Sequence, residues 1–385
     1  MRNLLESLDH DVGTQWKRQD VRAGRHSRAY KCRCGNHVFF GNTLCLACNA
    51  TLGFLPDEGQ VSPLDPGPEP GTWREEGRSE LLKFCGNREA PASCNWMMYA
   101  HNPKPHCIAC RLTRTLPDLD DADNVRYLTQ IEAAKRRLVS QLLALGLPVR
   151  SKVEEDPEHG LMFDFLRSPP EGPRVMTGHA SGLITLNVEE ADDAKREQIR
   201  HGLREPYRTL LGHFRHEVGH YYWDRLIWNT PWLDPFRQLF GDERASYAEA
   251  LKRNYEQGPP ADWANAYISA YATMHPWEDW AETWAHYLHV VDSLGTAMGF
   301  GLEADDLEGD IDPFTRDALY APEDPGAERF LSLLNAWLEV TMVLNEVARS
   351  MGQPDFYPFV MSRPAVAKLQ FISIVVMEAC ARPDL

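Results

Sequence analysis

The cysteines restrict the fold of this 385-residue chain more than any other feature, because eight of the nine lie within residues 32–110. Four of these eight form two close pairs, Cys32 with Cys34 and Cys45 with Cys48. Such pairs make tight turns, and two facing turns present four thiolates to one zinc ion. Two disulfides are the alternative, but the start of the chain lacks the apolar segment of a secretory signal, and disulfides are rare in a reducing cytosol. We therefore predict a structural zinc site at these four cysteines.

A second group of cysteines is spaced less regularly. Its members are Cys85, Cys94, Cys107 and Cys110. If these four act together, every cysteine of this region has a role, so we predict that they form a second structural zinc site. His101 and His106 are close enough in sequence to replace one of the thiolates. The remaining Cys380 falls in a predicted amphipathic helix over residues 365–381, where we expect it to be a buried apolar residue.

Charge changes at about the same place as the cysteine content. Residues 1–115 carry 15 basic and 12 acidic side chains, a net charge of +3, whereas residues 116–385 carry 25 and 44, a net charge of −19, and the two sum to −16. We therefore predict two domains with these bounds, a zinc-ribbon module and a larger acidic domain. The net negative charge argues against an extended surface for nucleic acid or anionic lipid.

Two stretches of the first domain have an unusual composition. Residues 56–71 contain five prolines and predict a spacer without regular structure. The other stretch is basic, is flanked by Trp16 and Tyr30, and consists of Lys17, Arg18, Arg22, Arg25, Arg28, Lys31 and Arg33. Basic and aromatic side chains together are suited to nucleic acid, whereas a basic arm alone is equally suited to the acidic domain or to a protein partner.

The hydrophobic pattern of the larger domain predicts a small sheet packed by many helices, an α+β fold. A helix is predicted over residues 124–145, strands over 161–166 and 183–188, and mostly helices after that. No apolar run approaches the 18 or so residues of a membrane span, so we expect a cytoplasmic protein without a membrane segment.

The most informative segment of the larger domain is His216-Glu217-Val-Gly-His220, within a helical pattern over residues 207–224. On a helix the two histidines are one turn apart on one face and can bind one zinc ion, while Glu217 can hold a water molecule beside it without binding the metal. Asp224 falls in the same sector of the helix, where we expect it to support the site.

A third ligand is expected from another helix, and residues 275–289 supply a second polar stripe that includes Glu278, Glu282 and His286. Ala281 is small enough to let two helices approach closely. In one assignment Glu278 is the ligand and Glu282 accepts the free N–H of a zinc-bound histidine. In the other, Glu282 is the ligand and His286 lies behind it. We favour the first.

Several stretches together carry a resemblance to a known family. They are CRCGN…CLACN, HCIACRLTRTLPDL, GLITLNVEEAD, PYRTLLGHFRHEVGHYYWDRL and HPWEDWAETWAHYLH. The chain resembles bacterial zinc-binding metallopeptidases that join an N-terminal zinc ribbon to a HExxH domain, and more broadly the gluzincins, the thermolysin-like clan.

The resemblance implies a minimal gluzincin-like fold with His216, His220 and Glu278 on zinc and Glu282 orienting a histidine. The last position departs from thermolysin, which has Asp there. It also implies a peptide or protein substrate that pairs with the edge of the strand over residues 183–188.

These features predict a zinc-dependent peptidase with one catalytic and two structural zinc ions, in which Glu217 is the general base. For the developing oxyanion we predict Tyr271 as a hydrogen-bond donor. The alternative donors are His179, His286 and His289. The alternative function is a non-catalytic zinc adaptor whose ribbon binds protein or nucleic acid. Glu217 favours the enzyme, since a purely structural zinc site has no use for a free carboxylate beside its ligands.

Overall fold

The computed structural model describes residues 28–89, 91–203, 209–302 and 311–381. The chain forms two compact units. Of the described residues, the first unit contains 28–201 and 298–301, and the second contains the remainder. The predicted domain boundary after residue 115 falls inside the first unit. Whether residues 1–115 and 116–385 fold as separate domains is not tested by this division, so the two domains stay a prediction.

The first unit begins with a short hairpin and a five-stranded antiparallel sheet in which each strand pairs with the next along the chain. The hairpin is formed by β1 (Tyr30–Lys31) and β2 (His37–Val38). The sheet is formed by β3 (Thr51–Leu55), β4 (Gln60–Pro66), β5 (Trp73–Glu75), β6 (Leu82–Phe84) and β7 (Met97–Tyr99). One face of the sheet buries Leu55, Leu64, Leu82 and Met97.

The expectation that the proline-rich stretch has no regular structure is wrong, because β4 runs through it. Pro63 pairs with Leu52, whose N–H donates to the carbonyl of Thr43 instead of to β4. The backbone nitrogen of Pro63 therefore points away from β3 and towards the side of β5. On that side the pairing of β4 with β5 covers Leu64 to Pro66 and does not include Pro63. A proline is tolerated in this strand because the position of its missing N–H faces no partner strand.

A second sheet follows within the first unit, in the order β10-β11-β9-β8. Its strands are β8 (Thr113–Thr115), β9 (Met162–Leu166), β10 (Gly178–Ala180) and β11 (Leu183–Asn187). Both predicted strands of this region are confirmed. The expectation that a substrate peptide can pair with a free edge of β11 is wrong, since β11 pairs with β9 on one side and with β10 on the other. A peptide therefore has no open edge at β11 from Leu183 to Thr185, where β10 is paired.

Two helices complete the described part of this unit, α1 (Ala122–Ala144) and α2 (Asp193–Leu203). The side chain of Asp121 accepts a hydrogen bond from the N–H of Asp123 and so caps the first turn of α1. The helix predicted over residues 124–145 is confirmed, and its apolar side is buried. The fully or almost fully buried members are Leu128, Ile131, Leu138 and Leu142.

The second unit is helical in its described part, as the α+β prediction required. Its helices are α3 (Leu210–Leu226), α4 (Leu233–Phe240), α5 (Tyr247–Gln257), α6 (Pro276–Gly299), α7 (Ala327–Ser350) and α8 (Arg363–Cys380). Thr209 caps α3, Ser246 caps α5 and Ser362 caps α8, each through its side chain. Cys380, expected to be buried, is half-buried at the end of α8.

Helix α7 is long and apolar enough to cross a membrane by the criteria of length and composition, and 44% of its most apolar window is buried. A helix in a protein core can meet the same two criteria, so this observation alone is weak evidence for a membrane span.

Candidate metal centres and active site

Four cysteines converge beside the β1–β2 hairpin, with their sulfur atoms within 4.8 Å of one another. We call Cys32, Cys34, Cys45 and Cys48 the first cysteine cluster. The Sγ atoms of Cys32 and Cys48 are 3.6 Å apart, and those of Cys34 and Cys45 are 3.7 Å apart. A disulfide needs about 2.05 Å. Four thiolates on a tetrahedral zinc ion, with bonds of about 2.3 Å, are about 3.8 Å apart, so the cluster fits zinc.

Cys85, Cys94, Cys107 and Cys110 converge in the same way, and we call them the second cysteine cluster. The Sγ atoms of Cys94 and Cys107 are 3.8 Å apart, and Cys85 Sγ accepts the backbone N–H of Cys107 at 3.3 Å. All four are buried, whereas Cys34 and Cys48 of the first cluster are exposed. The alternative ligand His101 is exposed and stacks on Tyr99 at 5.4 Å between ring centroids.

The third cluster lies in the second unit and joins α3 to α6. His216 and His220 come from α3 and Glu278 comes from the first turn of α6. We call these residues the histidine–glutamate cluster. His216 Nε2 is 3.2 Å from His220 Nε2 and 3.0 Å from Glu278 Oε2, and His220 Nε2 is 3.6 Å from Glu278 Oε1. A tetrahedral zinc ion with bonds of about 2.0–2.1 Å separates its ligand atoms by about 3.3 Å.

The two helices of this cluster are held together at Gly219. Trp280 Nε1 donates to the Gly219 carbonyl at 2.8 Å. A Cβ atom at Gly219 would lie 3.0 Å from the Cα atom of Ala281. The glycine between the two histidines and the small Ala281 therefore allow α3 and α6 to approach closely enough for Glu278 to reach both imidazoles.

Glu282 lies behind His216 and outside the histidine–glutamate cluster. Its Oε1 atom is 2.7 Å from His216 Nδ1, and its Oε2 atom accepts a hydrogen bond from Ser269 Oγ at 2.6 Å. Both carboxylate oxygens of Glu282 are thus engaged, and the three residues whose ligand atoms could share one metal ion are His216, His220 and Glu278. His286 is turned elsewhere, with its Nδ1 atom 2.7 Å from the Tyr357 hydroxyl.

Glu217 lies next to His216 and is buried, with 8% of its surface exposed. Burial raises the pKa of Glu217, and the positive charge of His216 and His220 opposes that shift. Among the residues that the structure describes, none donates a hydrogen bond to this carboxylate. A buried carboxylate without a fixed partner beside a metal-ligand cluster is available to exchange a proton.

Tyr271 lies beside the cluster. Its ring centroid is 6.0 Å from that of His216, and burial together with the nearby Glu278 carboxylate raises its pKa. Tyr247 lies close to Tyr271. Tyr247 in turn donates to Glu278 Oε1 at 2.8 Å. Tyr247 and Ser269 could not be predicted from the sequence, because neither belongs to a motif with a characteristic spacing. Only the loops before α5 and α6 bring them to the site.

The other predicted site residues lie apart from the histidine–glutamate cluster. Asp224 is exposed at the end of α3, and its described link to the site is an electrostatic one to His220. His289 Nδ1 is 2.6 Å from the guanidinium of Arg215. His179 Nε2, in the first unit, accepts the N–H of Gly182 at 2.9 Å.

The basic stretch is only partly described. Lys17, Arg18, Arg22 and Arg25, together with Trp16, lie outside the described residues. Of the others, Arg28 is buried and donates to Ser140 Oγ at 3.0 Å, and Arg33 forms a bidentate ion pair with Asp65. Lys31 is exposed.

Comparisons with known proteins agree with this geometry. A family model described as "Putative zinc-binding metallo-peptidase" matches residues 124–375, and a zinc-ribbon domain model matches residues 29–121. Uncharacterized proteins of Mycobacterium bovis and Mycobacterium tuberculosis are 41% identical to this chain over 367 residues, which cover 93% of it and 97% of each relative. No solved structure matches the chain significantly.

Proposed function

Because the chain belongs to the zinc-binding metallopeptidase family, we propose that it is a zinc-dependent peptidase of the gluzincin type, with an N-terminal zinc ribbon that recognises a substrate or partner. The observation that carries the proposal is the buried Glu217 carboxylate beside a three-residue ligand cluster. The cluster alone would be equally compatible with a structural metal site. Glu217 adds a group that can take and give a proton.

The residues of the histidine–glutamate cluster fit zinc. Two imidazole nitrogens and a carboxylate oxygen are its usual catalytic ligands. Glu278 Oε2 is buried and accepts no hydrogen bond from the described residues, although it lies 3.0 Å from His216 Nε2. When bound, zinc supplies a Lewis acid that lowers the pKa of water towards neutrality and polarises the peptide carbonyl. Together with the two cysteine clusters this gives our proposal of one catalytic and two structural zinc ions.

The protein's own groups perform the proton transfers. Glu217 takes a proton from the attacking water while the water oxygen bonds to the carbonyl carbon of the peptide. Glu217 then passes that proton to the amide nitrogen as the C–N bond breaks, so that an acid and an amine leave. Glu282 and Ser269 hold the ring of His216 in one orientation during this cycle.

The rim of the site offers a candidate donor for the oxyanion. Tyr271 is 37% exposed, and its ring centroid is 6.0 Å from that of His216, so this tyrosine borders the histidine–glutamate cluster and is open to solvent. This proximity supports the proposal that Tyr271 stabilises the developing negative charge.

A specific observation supports partner binding by the ribbon. Three apolar side chains near the first cysteine cluster are exposed, Phe39 by 59%, Leu44 by 43% and Leu46 by 89%. Exposed apolar side chains that lie close together along the chain favour a protein–protein contact. We propose that this surface binds a protein substrate or partner in the cytoplasm, where thiolate sites stay reduced. If the protein lacks peptidase activity, the same surface favours the zinc-adaptor function.

Hydrolysis of a peptide library, followed by mass spectrometry, tests the proposal. We expect Glu217→Gln to keep its zinc and to lose turnover by a factor of about 100 or more, because general acid–base catalysis contributes about 10²–10⁴-fold. Glu256→Gln, an exposed glutamate on α5, is the matched control and should leave turnover unchanged. Full activity of Glu217→Gln would refute the mechanism, and absence of zinc-dependent hydrolysis in the wild type would favour the adaptor.

A further inference from the structure

Tyr247 is the first residue of α5, and it reaches a ligand that belongs to a different helix. Its hydroxyl donates to Glu278 Oε1 at 2.8 Å. The tyrosine is 38% exposed, whereas Glu278 is 2% exposed. Its ring lies 5.4 Å from the ring of His275 and 6.5 Å from that of Trp277. The ring of Tyr247 therefore contacts two aromatic side chains, and its hydroxyl lies against the buried carboxylate.

The hydrogen bond distinguishes the two oxygens of Glu278. Oε2 lies 3.0 Å from His216 Nε2, and Oε1 lies 3.6 Å from His220 Nε2, so both oxygens face the ligand nitrogens. A carboxylate in this position can bind a metal through one oxygen or through both. Among the described residues, Oε1 accepts a hydrogen bond from a hydroxyl and Oε2 accepts none. An oxygen engaged in a hydrogen bond is a weaker second ligand.

We propose that Tyr247 is a positioning residue that occupies Glu278 Oε1 and so leaves Oε2 as the single ligand atom of this carboxylate. A single ligand atom keeps a coordination position of the zinc ion open, as hydrolysis requires. This inference rests on the proposed role of Glu278 as a zinc ligand, but it does not depend on hydrolysis.

Tyr271 is a second tyrosine near Glu278. Its hydroxyl interacts electrostatically with Glu278 and Tyr247, but of the two tyrosines it is Tyr247 whose hydroxyl donates to Glu278. Removal of the Tyr271 hydroxyl should affect the metal less than removal of the Tyr247 hydroxyl, because only the latter touches the carboxylate.

Zinc affinity of the histidine–glutamate cluster, measured by competition with a chromophoric chelator on the full chain, tests the proposal. We expect Tyr247→Phe to weaken zinc binding by about 10–100-fold, the usual effect of removing a group that orients a ligand. Tyr271→Phe should lose less than Tyr247→Phe. Tyr255→Phe removes a hydroxyl from the same helix at a position that is 71% exposed, and it should bind zinc like the wild type.

Two further measurements separate positioning from a general effect on folding. The melting temperature of zinc-loaded Glu278→Ala should be the same with and without Tyr247→Phe, because the ring is kept and the two cysteine clusters keep their zinc. In the Glu278→Ala background, Tyr247→Phe should cause no additional loss of zinc affinity, since its partner is gone.

Zinc affinity of Tyr247→Phe within about twofold of the wild type, or an equal loss in Tyr255→Phe, would overturn the positioning role. Wild-type zinc affinity in Glu278→Ala would overturn the ligand assignment on which it rests. This test involves no peptide hydrolysis. A protein that binds zinc but cleaves no peptide would therefore leave the conclusion about Tyr247 unchanged.

Discussion

Glu278 and Glu282 are chemically alike and lie one turn apart on α6, yet their neighbours differ. Glu278 faces the Nε2 atoms of both His216 and His220. Glu282 accepts from Ser269 Oγ and lies against His216 Nδ1, the nitrogen on the far side of the ring. The role of a carboxylate at this site therefore depends on which nitrogen of His216 it meets.

Zinc content and affinity distinguish these two glutamates. We expect Glu278→Ala to contain one zinc ion fewer than the wild type, because it loses a ligand. Glu282→Ala should keep the full number but bind zinc about 10–100-fold more weakly at this cluster, because it loses only the partner of His216. Plasma mass spectrometry and chelator competition measure the two quantities. The reverse pattern would make Glu282 the ligand.

A second prediction at this scale concerns acid stability. His286 is buried against Tyr357, and burial lowers its pKa to about 4, opposed by the Glu282 carboxylate. An unfolded histidine has a pKa of about 6.5. Between about pH 4 and pH 6.5 the histidine is protonated in the unfolded chain and neutral in the folded protein. Acid therefore favours the unfolded chain, and the free energy of unfolding falls as the pH drops from about 6.5 towards 4. We expect a loss of about 2 kcal/mol between about pH 7 and pH 5 from this group.

Urea unfolding at the two pH values measures this contribution. His286→Asn, which keeps a polar atom towards Tyr357, should lose less stability on acidification than the wild type by about the same 2 kcal/mol. His159→Asn is the control, since that histidine is half-exposed. Equal acid sensitivity of wild type and His286→Asn would show that His286 is not responsible.

At the scale of elements, the crossing of α3 and α6 decides the geometry of the candidate active site. The contact is between Gly219 and Ala281, where a Cβ atom added at Gly219 would lie 3.0 Å from Ala281 Cα. An ion pair joins α6 to α8 close to this crossing, because Lys368 Nζ donates to Asp279 Oδ2 at 2.6 Å. Both charges of that pair are buried, so loss of either would leave the other uncompensated.

Gly219→Ala tests the importance of the crossing. The new Cβ atom would lie 3.0 Å from Ala281 Cα and 3.3 Å from Trp284 Cβ, so the helices would have to separate by a few tenths of an ångström. We expect a loss of about 1–3 kcal/mol from overpacking, which exceeds the helix-propensity gain of up to about 1 kcal/mol. Zinc affinity of the histidine–glutamate cluster should fall as well, because its ligands come from both helices.

Thermal unfolding and chelator competition measure these two effects. Gly178→Ala adds the same methyl group where no atom lies within 4 Å, and it should change neither quantity. A Gly219→Ala variant as stable as the wild type and with unchanged zinc affinity would mean that the two helices have room to adjust.

At the scale of the whole molecule, the two cysteine clusters differ in access to solvent. Two of the four cysteines in the first cluster are exposed, whereas all four in the second are buried. A chelator reaches a buried site only after local opening. We therefore expect zinc to leave the first cluster faster than the second, on the order of tenfold.

Release of zinc to an excess of chelator, followed by absorbance, measures these rates. We expect three zinc ions in the wild type. Cys45→Ser should remove the faster of the two thiolate-site phases, and Cys94→Ser the slower. Identical rates for both cysteine clusters would contradict the link between burial and exchange.

Several features depend only on neighbours along the chain, and the sequence is enough to predict them. These are the close cysteine pairs, the helix of α1, the two strands β9 and β11, and the placement of His216, Glu217 and His220 on one helix. Helical and strand periodicities set such geometry locally, so no long-range contact is needed to read it.

Other features depend on which elements meet in the folded chain, and residue spacing does not predict them. Pro63 sits in a strand because its missing N–H faces no partner there, and β11 is internal because β10 folds back onto it. Spacing alone leaves Glu278 and Glu282 as alternatives, and it gives no sign of Tyr247, which contributes from another helix. The physical reason is the same in each case: a side chain acquires its role from atoms that are distant in sequence, and here the close crossing at Gly219 selects them.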